Sequence, residues 1–267
     1  MRRTALAALC LAAVATAGLT GCGGEGGANS GTSSDSAGQN TAKERKSSPE
    51  PKEEPFAGLT GGEIAERALK ATTGASSLRM KGDVPDEETG GTIHIDMALN
   101  EQGECAGTMG LEGQGEAELI KTGDTLYMKY DEAFLRAQSK GEPEADVDAA
   151  VALLAGKWTK TSAKGADAGD IAGFCDLDLV LGDLEDERSE ATRGKTTTVD
   201  GTPAITLEER EGRDRYTVYV ATEGEPYLLR IDSASAADPG SISFADYDEP
   251  VPADKPAGDV LDLDALG

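Results

Sequence analysis

Along residues 92–99, large apolar side chains alternate with Thr92, His94, Asp96 and Ala98, and this pattern limits the fold to one built around a β-sheet. Ile93, Ile95, Met97 and Leu99 occupy every second position. Successive side chains of a strand point to opposite faces, so this strand presents one apolar face and one polar face. Similar short segments recur along the chain. The predicted strands are 92–99, 104–111, 115–122, 125–130, 191–199, 204–209, 215–221, 227–233 and 241–247.

Turn signals separate these strands at short intervals. Thr122-Gly123-Asp124 supplies turn residues, and Asp200-Gly201 between two β-rich segments is a strong hairpin signal. The tail at 250–267 is acidic and contains proline, and we predict a short edge segment at 260–263. Short intervals favour antiparallel pairing of consecutive strands.

Helical patterns flank and interrupt the strands. Thr60 and Glu63 form a capping-box pattern, and the apolar spacing that follows predicts a helix ending near Gly74. Further helical segments are predicted in the middle of the chain at 132–138, 145–155 and 170–184. The order of helix, four or five strands, helical insert and five strands predicts an α+β fold in which a strongly curved antiparallel sheet wraps a few helices.

The N-terminus has the three regions of a signal peptide, which we assign to residues 1–21. Arg2 and Arg3 precede an apolar run at 4–17, and small residues follow at 18–21. The run is shorter than the ~20 residues that span a bilayer. Leu19-Thr20-Gly21-Cys22 resembles the lipobox of bacterial lipoproteins, which implies a lipidated Cys22 as the mature N-terminus. The alternative is an ordinary secreted protein cleaved near Gly21.

Residues 22–57 are predicted to be a disordered linker, and residues 58–267 a single domain. The linker is rich in Gly, Ser, Thr and charged residues and contains one aromatic residue, Phe56. As a flexible coil it would span about 30 Å. With lipid on Cys22, this organisation predicts a protein held at the extracytoplasmic face of the cell membrane.

The chain is strongly acidic. Its 25 basic and 50 acidic residues give a formal charge of 25 − 50 = −25. A field of this sign disfavours nucleic acid and direct contact with anionic lipid headgroups. We attribute the acidity to colloidal stability rather than to an acidic binding face.

Two cysteines remain once Cys10 leaves with the signal peptide and Cys22 takes lipid. In an oxidising compartment, Cys105 and Cys175 are expected to form one disulfide, worth about 4 kcal/mol in the chain-entropy model. The alternative is a pair of buried free thiols.

Residues that could carry catalysis are few. The single histidine, His94, falls on the predicted solvent face of its strand, and no Gly-x-Ser-x-Gly motif is present. Acidic pairs such as Asp176 and Asp178 arise readily in a chain this acidic, and no EF-hand loop matches. We therefore predict a protein that is not an enzyme and has neither a cofactor nor a metal site.

The apolar faces of the strands have two interpretations. They line a cavity that binds a hydrophobic ligand, or they form a packed core against the helices. The candidate ligand-binding residues are Ile93, Ile95, Met97, Leu119, Leu126, Met128, Val218, Leu229 and Phe244.

The C-terminal third also resembles a known family. The residues that carry the resemblance are 216–220, 224–231, 243–247 and Pro250-Val251, together with Gly156-Lys157-Trp158 before the central helices. These segments are similar to LolA-like lipoproteins of the LppX and LprG type.

Membership of that family implies a half-barrel sheet closed by helices around an apolar cavity, and a role in carrying acylated lipids outside the cytoplasmic membrane. We therefore expect a lipid-anchored envelope lipoprotein that binds a lipid-like molecule. The alternative is a lipoprotein with a packed core whose surface contacts an envelope protein partner.

Overall fold

The computed structural model describes residues 54–85, 91–185, 190–235 and 239–265. The predicted signal peptide, Cys22 and all of the predicted linker before residue 54 lie outside these residues. The assignments made for them remain predictions.

Twelve strands form one open sheet in the order β12-β6-β5-β4-β3-β2-β1-β11-β10-β9-β8-β7. All neighbouring strands are antiparallel except β12, which runs parallel to β6. The strands are β1 (Ser77–Pro85), β2 (Thr92–Asn100), β3 (Cys105–Leu111), β4 (Gly115–Thr122), β5 (Thr125–Tyr130), β6 (Trp158–Ser162), β7 (Thr192–Val199), β8 (Thr202–Glu211), β9 (Asp214–Ala221), β10 (Leu228–Ala234), β11 (Pro239–Ala245) and β12 (Val260–Asp262).

Five α-helices occur in the described part of the chain. They are α1 (Gly61–Thr73), α2 (Glu132–Gln138), α3 (Glu144–Leu154), α4 (Ala166–Gly173) and α5 (Leu177–Glu185). None of these helices has both the length and the apolar character needed to cross a membrane.

The first helix begins as its sequence predicts. The Glu63 amide donates to the Thr60 hydroxyl at 3.2 Å, and the Thr60 amide donates to the Glu63 carboxylate at 2.7 Å. The second hydrogen bond lowers the pKa of Glu63. This reciprocal pair satisfies two amides that have no partner within the helix, so the predicted capping box is confirmed.

The domain packing starts slightly before the predicted boundary at residue 58. Phe56 packs against the core, and the Arg193 guanidinium donates hydrogen bonds to the carbonyl oxygens of Pro55 and Phe56 at 2.5 and 2.8 Å. The end of the predicted linker is therefore held against strand β7.

Three elements differ from the sequence prediction. Strands β1 and β6 were not predicted, and the single helix predicted at 170–184 is two helices, α4 and α5. The break occurs because the Asp176 carboxylate accepts hydrogen bonds from the amides of Asp178 and Leu179 and so starts a new helix. Cys175 lies in this break.

Other local predictions are confirmed. Asp200 and Gly201, both with positive φ, form the tight turn between β7 and β8. Strand β12 lies at one edge of the sheet, as predicted for residues 260–263.

Two glycines permit close approach between neighbouring strands. A Cβ on Gly82 would lie 2.2 Å from the Ser241 carbonyl oxygen, and a Cβ on Gly107 would lie 2.0 Å from the Asp96 carbonyl oxygen. A side chain at either position would collide with backbone of the adjacent strand. The close approach of the neighbouring strands therefore requires glycine at both positions.

Candidate hydrophobic binding face

One face of the sheet, here called the inner face, carries the helices. Buried residues of the strands share a single core with Ile64 and Ala68 of α1 and with Leu177 and Leu181 of α5. Residues paired across antiparallel strands lie on the same face, so the pairing register identifies the inner face throughout the sheet.

An uninterrupted line of uncharged residues crosses the inner face on nine adjacent strands. We call this line the inner row. At the usual strand spacing it extends about 38 Å along the sheet. Its members, in sheet order from β5 to β8, are Tyr130, Ala117, Met109, Ile95, Gly82, Ile242, Ile231, Val218 and Leu207.

Burial changes along the strands. On one side of the inner row, Leu78, Leu99 and Leu126 are fully buried. On the other side, Val84 and Ile93 are only half-buried. The inner face therefore has a deep end beneath the helices and an open end where apolar side chains remain partly accessible.

A disulfide links the α4–α5 segment to the sheet at the deep end. Cys105 of β3 and Cys175, between α4 and α5, are joined, with 5.2 Å between their Cα atoms. Both cysteines are fully buried. The pairing expected from the sequence is thus present, and it ties the α4–α5 segment to the sheet.

A second helix, α2, covers the end of the inner row at β5. Tyr130, at the end of the inner row, stacks on Phe134 of α2 with 5.5 Å between ring centroids. Burial raises the pKa of the Tyr130 phenol. The Asp131 side chain caps α2 by accepting a hydrogen bond from the Phe134 amide at 2.6 Å.

Eight of the nine candidate ligand-binding residues lie on the inner face. Ile93 and Ile95 are half-buried, whereas the other six are buried in the core cluster. The six are Met97, Leu119, Leu126, Met128, Val218 and Phe244. The structure brings these residues to one face; their contact with a ligand remains a prediction.

Leu229 does not follow the predicted alternation. A register shift between Leu228 and Arg230 interrupts the pairing of β10 with β9. As a result Leu228, rather than Leu229, belongs to the buried core, and Leu229 is half-buried at the irregularity. A β-bulge adds one residue to a strand and so changes which side chains share a face.

Sequence reasoning missed several residues of this face. Met80 lies on β1, a strand that was not predicted, and faces Met97 and Phe244. Met109, Ile231 and Ile242 fall in predicted strands, and period-two alternation in those strands was the available signal.

The outer face of the sheet is polar and carries ion pairs. Arg79 donates to Asp96 at 2.6 Å, and Lys129 donates to Glu118 at 2.7 Å. His94 lies on this face, as predicted, and contacts Asp83 across the β1–β2 pair at 2.5 Å. In the described part of the chain, no three side chains of His, Cys, Asp or Glu converge as metal ligands would.

Solved structures contain this open, curved antiparallel sheet with helices on one face. The crystal structure of LprF from Mycobacterium bovis aligns with a TM-score of 0.51 and 16% identity, over 74% of this chain and 97% of LprF. The likeness shows a shared fold and confirms the predicted fold class, with a sheet that is not closed.

The lipoprotein LppX from Mycobacterium tuberculosis also aligns, with a TM-score of 0.45 and 13% identity, over 73% of this chain and 98% of LppX. No family model matches the sequence. No curated protein matches it either.

Proposed function

We propose that this protein binds a hydrophobic, lipid-like molecule on the inner face of its sheet and carries it at the cell envelope. The observation that carries the proposal is the inner row, which is free of charged residues across nine strands and borders a half-buried open end. Extended apolar surface that stays partly accessible is typical of a binding site.

Burial of the ligand would supply the binding free energy. Each acyl CH₂ removed from water contributes about 0.8 kcal/mol. No covalent chemistry is required of the protein, and release needs only transfer of the chain to another apolar environment. The proposed role is therefore that of a carrier rather than an enzyme.

The carrier would remain at the membrane through lipid on Cys22. Two or three acyl chains hold a protein stably on a membrane surface, whereas a single chain binds marginally. The linker that follows Cys22 would let the domain reach neighbouring lipid while restricting it to the extracytoplasmic face.

Lipid extraction and native mass spectrometry test the carrier function. Protein purified without detergent should retain acyl species. Ile242→Glu places a charge in the inner row and should abolish their retention, because a carboxylate is costly to bury beside acyl chains. Ser243→Glu is the matched control, since Ser243 lies next along β11 and pairs with Lys81 and Arg230 on the outer face. Apo wild-type protein, or acyl species retained by Ile242→Glu, would contradict the proposal.

A separate experiment tests the anchor. The Cys22→Ala protein should appear in the medium, whereas the wild type should sediment with membranes. If the variant sediments as the wild type does, Cys22 is not the attachment point.

Exposed apolar residues favour one alternative, an interaction lipoprotein. Phe174, at the C-terminal end of α4, and Leu179, in the first turn of α5, are 51% and 66% exposed. Under this alternative the wild type would carry no lipid, and Phe174→Ser with Leu179→Ser would abolish crosslinking to an envelope protein.

A further inference from the structure

Helix α3 packs more loosely than α1, which is of comparable length. None of the residues of α3 is buried, whereas α1 buries Ile64, Ala68 and Thr72. Leu153 of α3 is 48% exposed. Residues three and four positions apart lie along one side of a helix, so Leu153 continues a strip of exposed alanines. These alanines are Ala145, Ala149 and Ala152.

All four carbonyl oxygens at the C-terminal end of α3 have hydrogen-bond partners. The Lys157 ammonium donates to the carbonyl oxygens of Ala152 and Leu153, at 2.9 Å each. The Lys157 amide donates to the carbonyl of Leu154 at 3.0 Å, and the amide that follows the helix donates to the carbonyl of Val151 at 2.9 Å. Unpaired carbonyls are costly in a lipid environment. This end of α3 therefore has no such cost when it leaves water.

The charge around this end of α3 differs from that of the whole chain. About one residue in five is acidic overall, yet residues 149–166 contain no Asp or Glu. Lys160 and Lys164 in this stretch each form an ion pair, at 2.8 and 2.7 Å. Lys157 forms none with a carboxylate in the described ranges. An ammonium has three donors, and two of those of Lys157 bond carbonyls, so one remains for an acceptor such as a phosphate.

The C-terminal end of α3 lies at the open end of the inner face. Strand β5 runs from Leu126, at the deep end, to Tyr130 in the inner row. The chain continues in the same direction into α2 and α3, and it returns where the Gly156 amide donates to the Tyr130 carbonyl at 2.8 Å. Trp158 then begins β6. We call Ala149, Ala152, Leu153 and Lys157 the α3 tip.

We infer that the α3 tip docks on the surface of a phospholipid bilayer, with Leu153 entering the acyl region and Lys157 on a lipid phosphate. A lysine at a membrane interface lays its stem along apolar surface and keeps its ammonium among the headgroups. The net charge of the chain opposes contact with headgroups, so docking requires an area without carboxylates, which the α3 tip provides. Docking requires no ligand on the inner face, and it brings the open end against the bilayer.

The contact is weak by itself, because it consists of one leucine, one lysine and small side chains. The predicted anchor makes it effective. A linker of about 30 Å keeps the domain at a high effective concentration beside the membrane. Without lipid on Cys22 the docked protein would dissociate on dilution, which agrees with the expected release of the Cys22→Ala protein into the medium.

Trp158 is the single tryptophan of the chain and follows Lys157 directly, so its fluorescence reports docking. Purified Cys22→Ala protein is titrated with vesicles of four parts phosphatidylcholine, brominated near the headgroup end of its acyl chains, and one part phosphatidylglycerol. Physiological ionic strength screens repulsion by carboxylates more than about 8 Å away. The brominated vesicles should quench Trp158 saturably, and unbrominated vesicles should not. Absence of quenching would overturn the inference.

Substitutions locate the docking surface. Leu153→Asp should lower the partition coefficient by about tenfold or more, because it replaces an inserted apolar group with a charge. Lys157→Gln should lower it about fivefold, whereas Lys157→Arg keeps the charge and should bind as the wild type does. Leu179→Asp is the matched control, since Leu179 is more exposed than Leu153 but follows Asp178. Unchanged binding by Leu153→Asp, or an equal loss in Leu179→Asp, would rule out the α3 tip.

The Ile242→Glu variant separates docking from ligand binding. It should lose acyl species but still show quenching of Trp158, because Ile242 is remote in sequence from the α3 tip and lies in the inner row. Loss of quenching in this variant would mean that lipid on the inner face causes the signal, and the inference would fail. Retention of acyl species by a wild type that does not dock would overturn the inference and leave the carrier proposal intact. Docking by a wild type that carries no lipid would do the reverse.

Discussion

On the outer face, the Asp96 carboxylate interacts with two basic side chains. The Arg79 guanidinium donates to Asp96 at 2.6 Å, and the Lys81 ammonium lies 3.3 Å from the same carboxylate. These hydrogen bonds, chiefly that of Arg79, hold the pKa of Asp96 below its ordinary value. The group joins β1 to β2, the first of which was not predicted from the sequence.

Asp96→Asn should lower the free energy of unfolding at pH 7 by about 0.5–1 kcal/mol, because the ion pair is partly solvated. A lowered folded-state pKa stabilises the fold above the ordinary carboxyl pKa, and that stabilisation is lost as the pH falls through the lowered value. Urea unfolding should therefore show a constant difference from pH 7 to 5 and a shrinking one below about pH 4.

Asp254→Asn, at an exposed position of the C-terminal tail, controls for the change in net charge. A difference between wild type and Asp96→Asn that grows as the pH falls below 4 would contradict the ion-pair assignment.

At the scale of the element, the close packing of strand β3 against strand β2 depends on a glycine. Gly107 of β3 lies against the backbone of β2, and a Cβ there would be 2.0 Å from the Asp96 carbonyl oxygen. Glycine is generally unfavourable inside a strand, so its presence here reflects a steric requirement.

Gly107→Ala should lower the free energy of unfolding by about 2 kcal/mol or more, because the added methyl group overpacks the contact between the two strands. Gly169→Ala in α4 is the matched control. A Cβ at Gly169 meets no atom within 4 Å, and alanine favours a helix by up to about 1 kcal/mol. Chemical denaturation of both variants tests the contrast; equal stability of Gly107→Ala and wild type would rule out the steric requirement.

At the scale of the whole molecule, a disulfide connects the α4–α5 segment to the sheet. The Cys105–Cys175 disulfide joins residues 70 positions apart. Without it, the α4–α5 segment would depend on the packing of a few residues, including Leu177 and Leu181. The disulfide thus holds the α4–α5 segment over the deep end and also stabilises the fold as a whole.

Replacing both cysteines by serine should lower the free energy of unfolding by about 4 kcal/mol, following the entropy of closing a loop of this length. Urea unfolding of the oxidised wild type, the reduced wild type and the double variant measures the effect. The reduced wild type should behave like the double variant, and equal stability of all three proteins would contradict the prediction.

The sequence by itself determined the local structure of most elements. The capping box at Thr60, the turn at Asp200-Gly201 and the alternation around Ile95 depend on neighbouring residues, so a single sequence reveals them. Alternation also separates the two faces within each strand, and eight of the nine candidate residues selected in this way lie on the inner face. Leu229 is the exception, since a bulge is set by the partner strand.

Only the tertiary structure decided how these elements combine. The pairing of β1 with β11 joins strands β1 to β6 and strands β7 to β11 into one sheet, and the pairing of β12 with β6 joins the C-terminal tail to it. Both pairings connect residues far apart in the chain, where local propensity carries no information. For the same reason the inner row becomes visible only when its nine strands are in register, because each strand contributes only one residue to it.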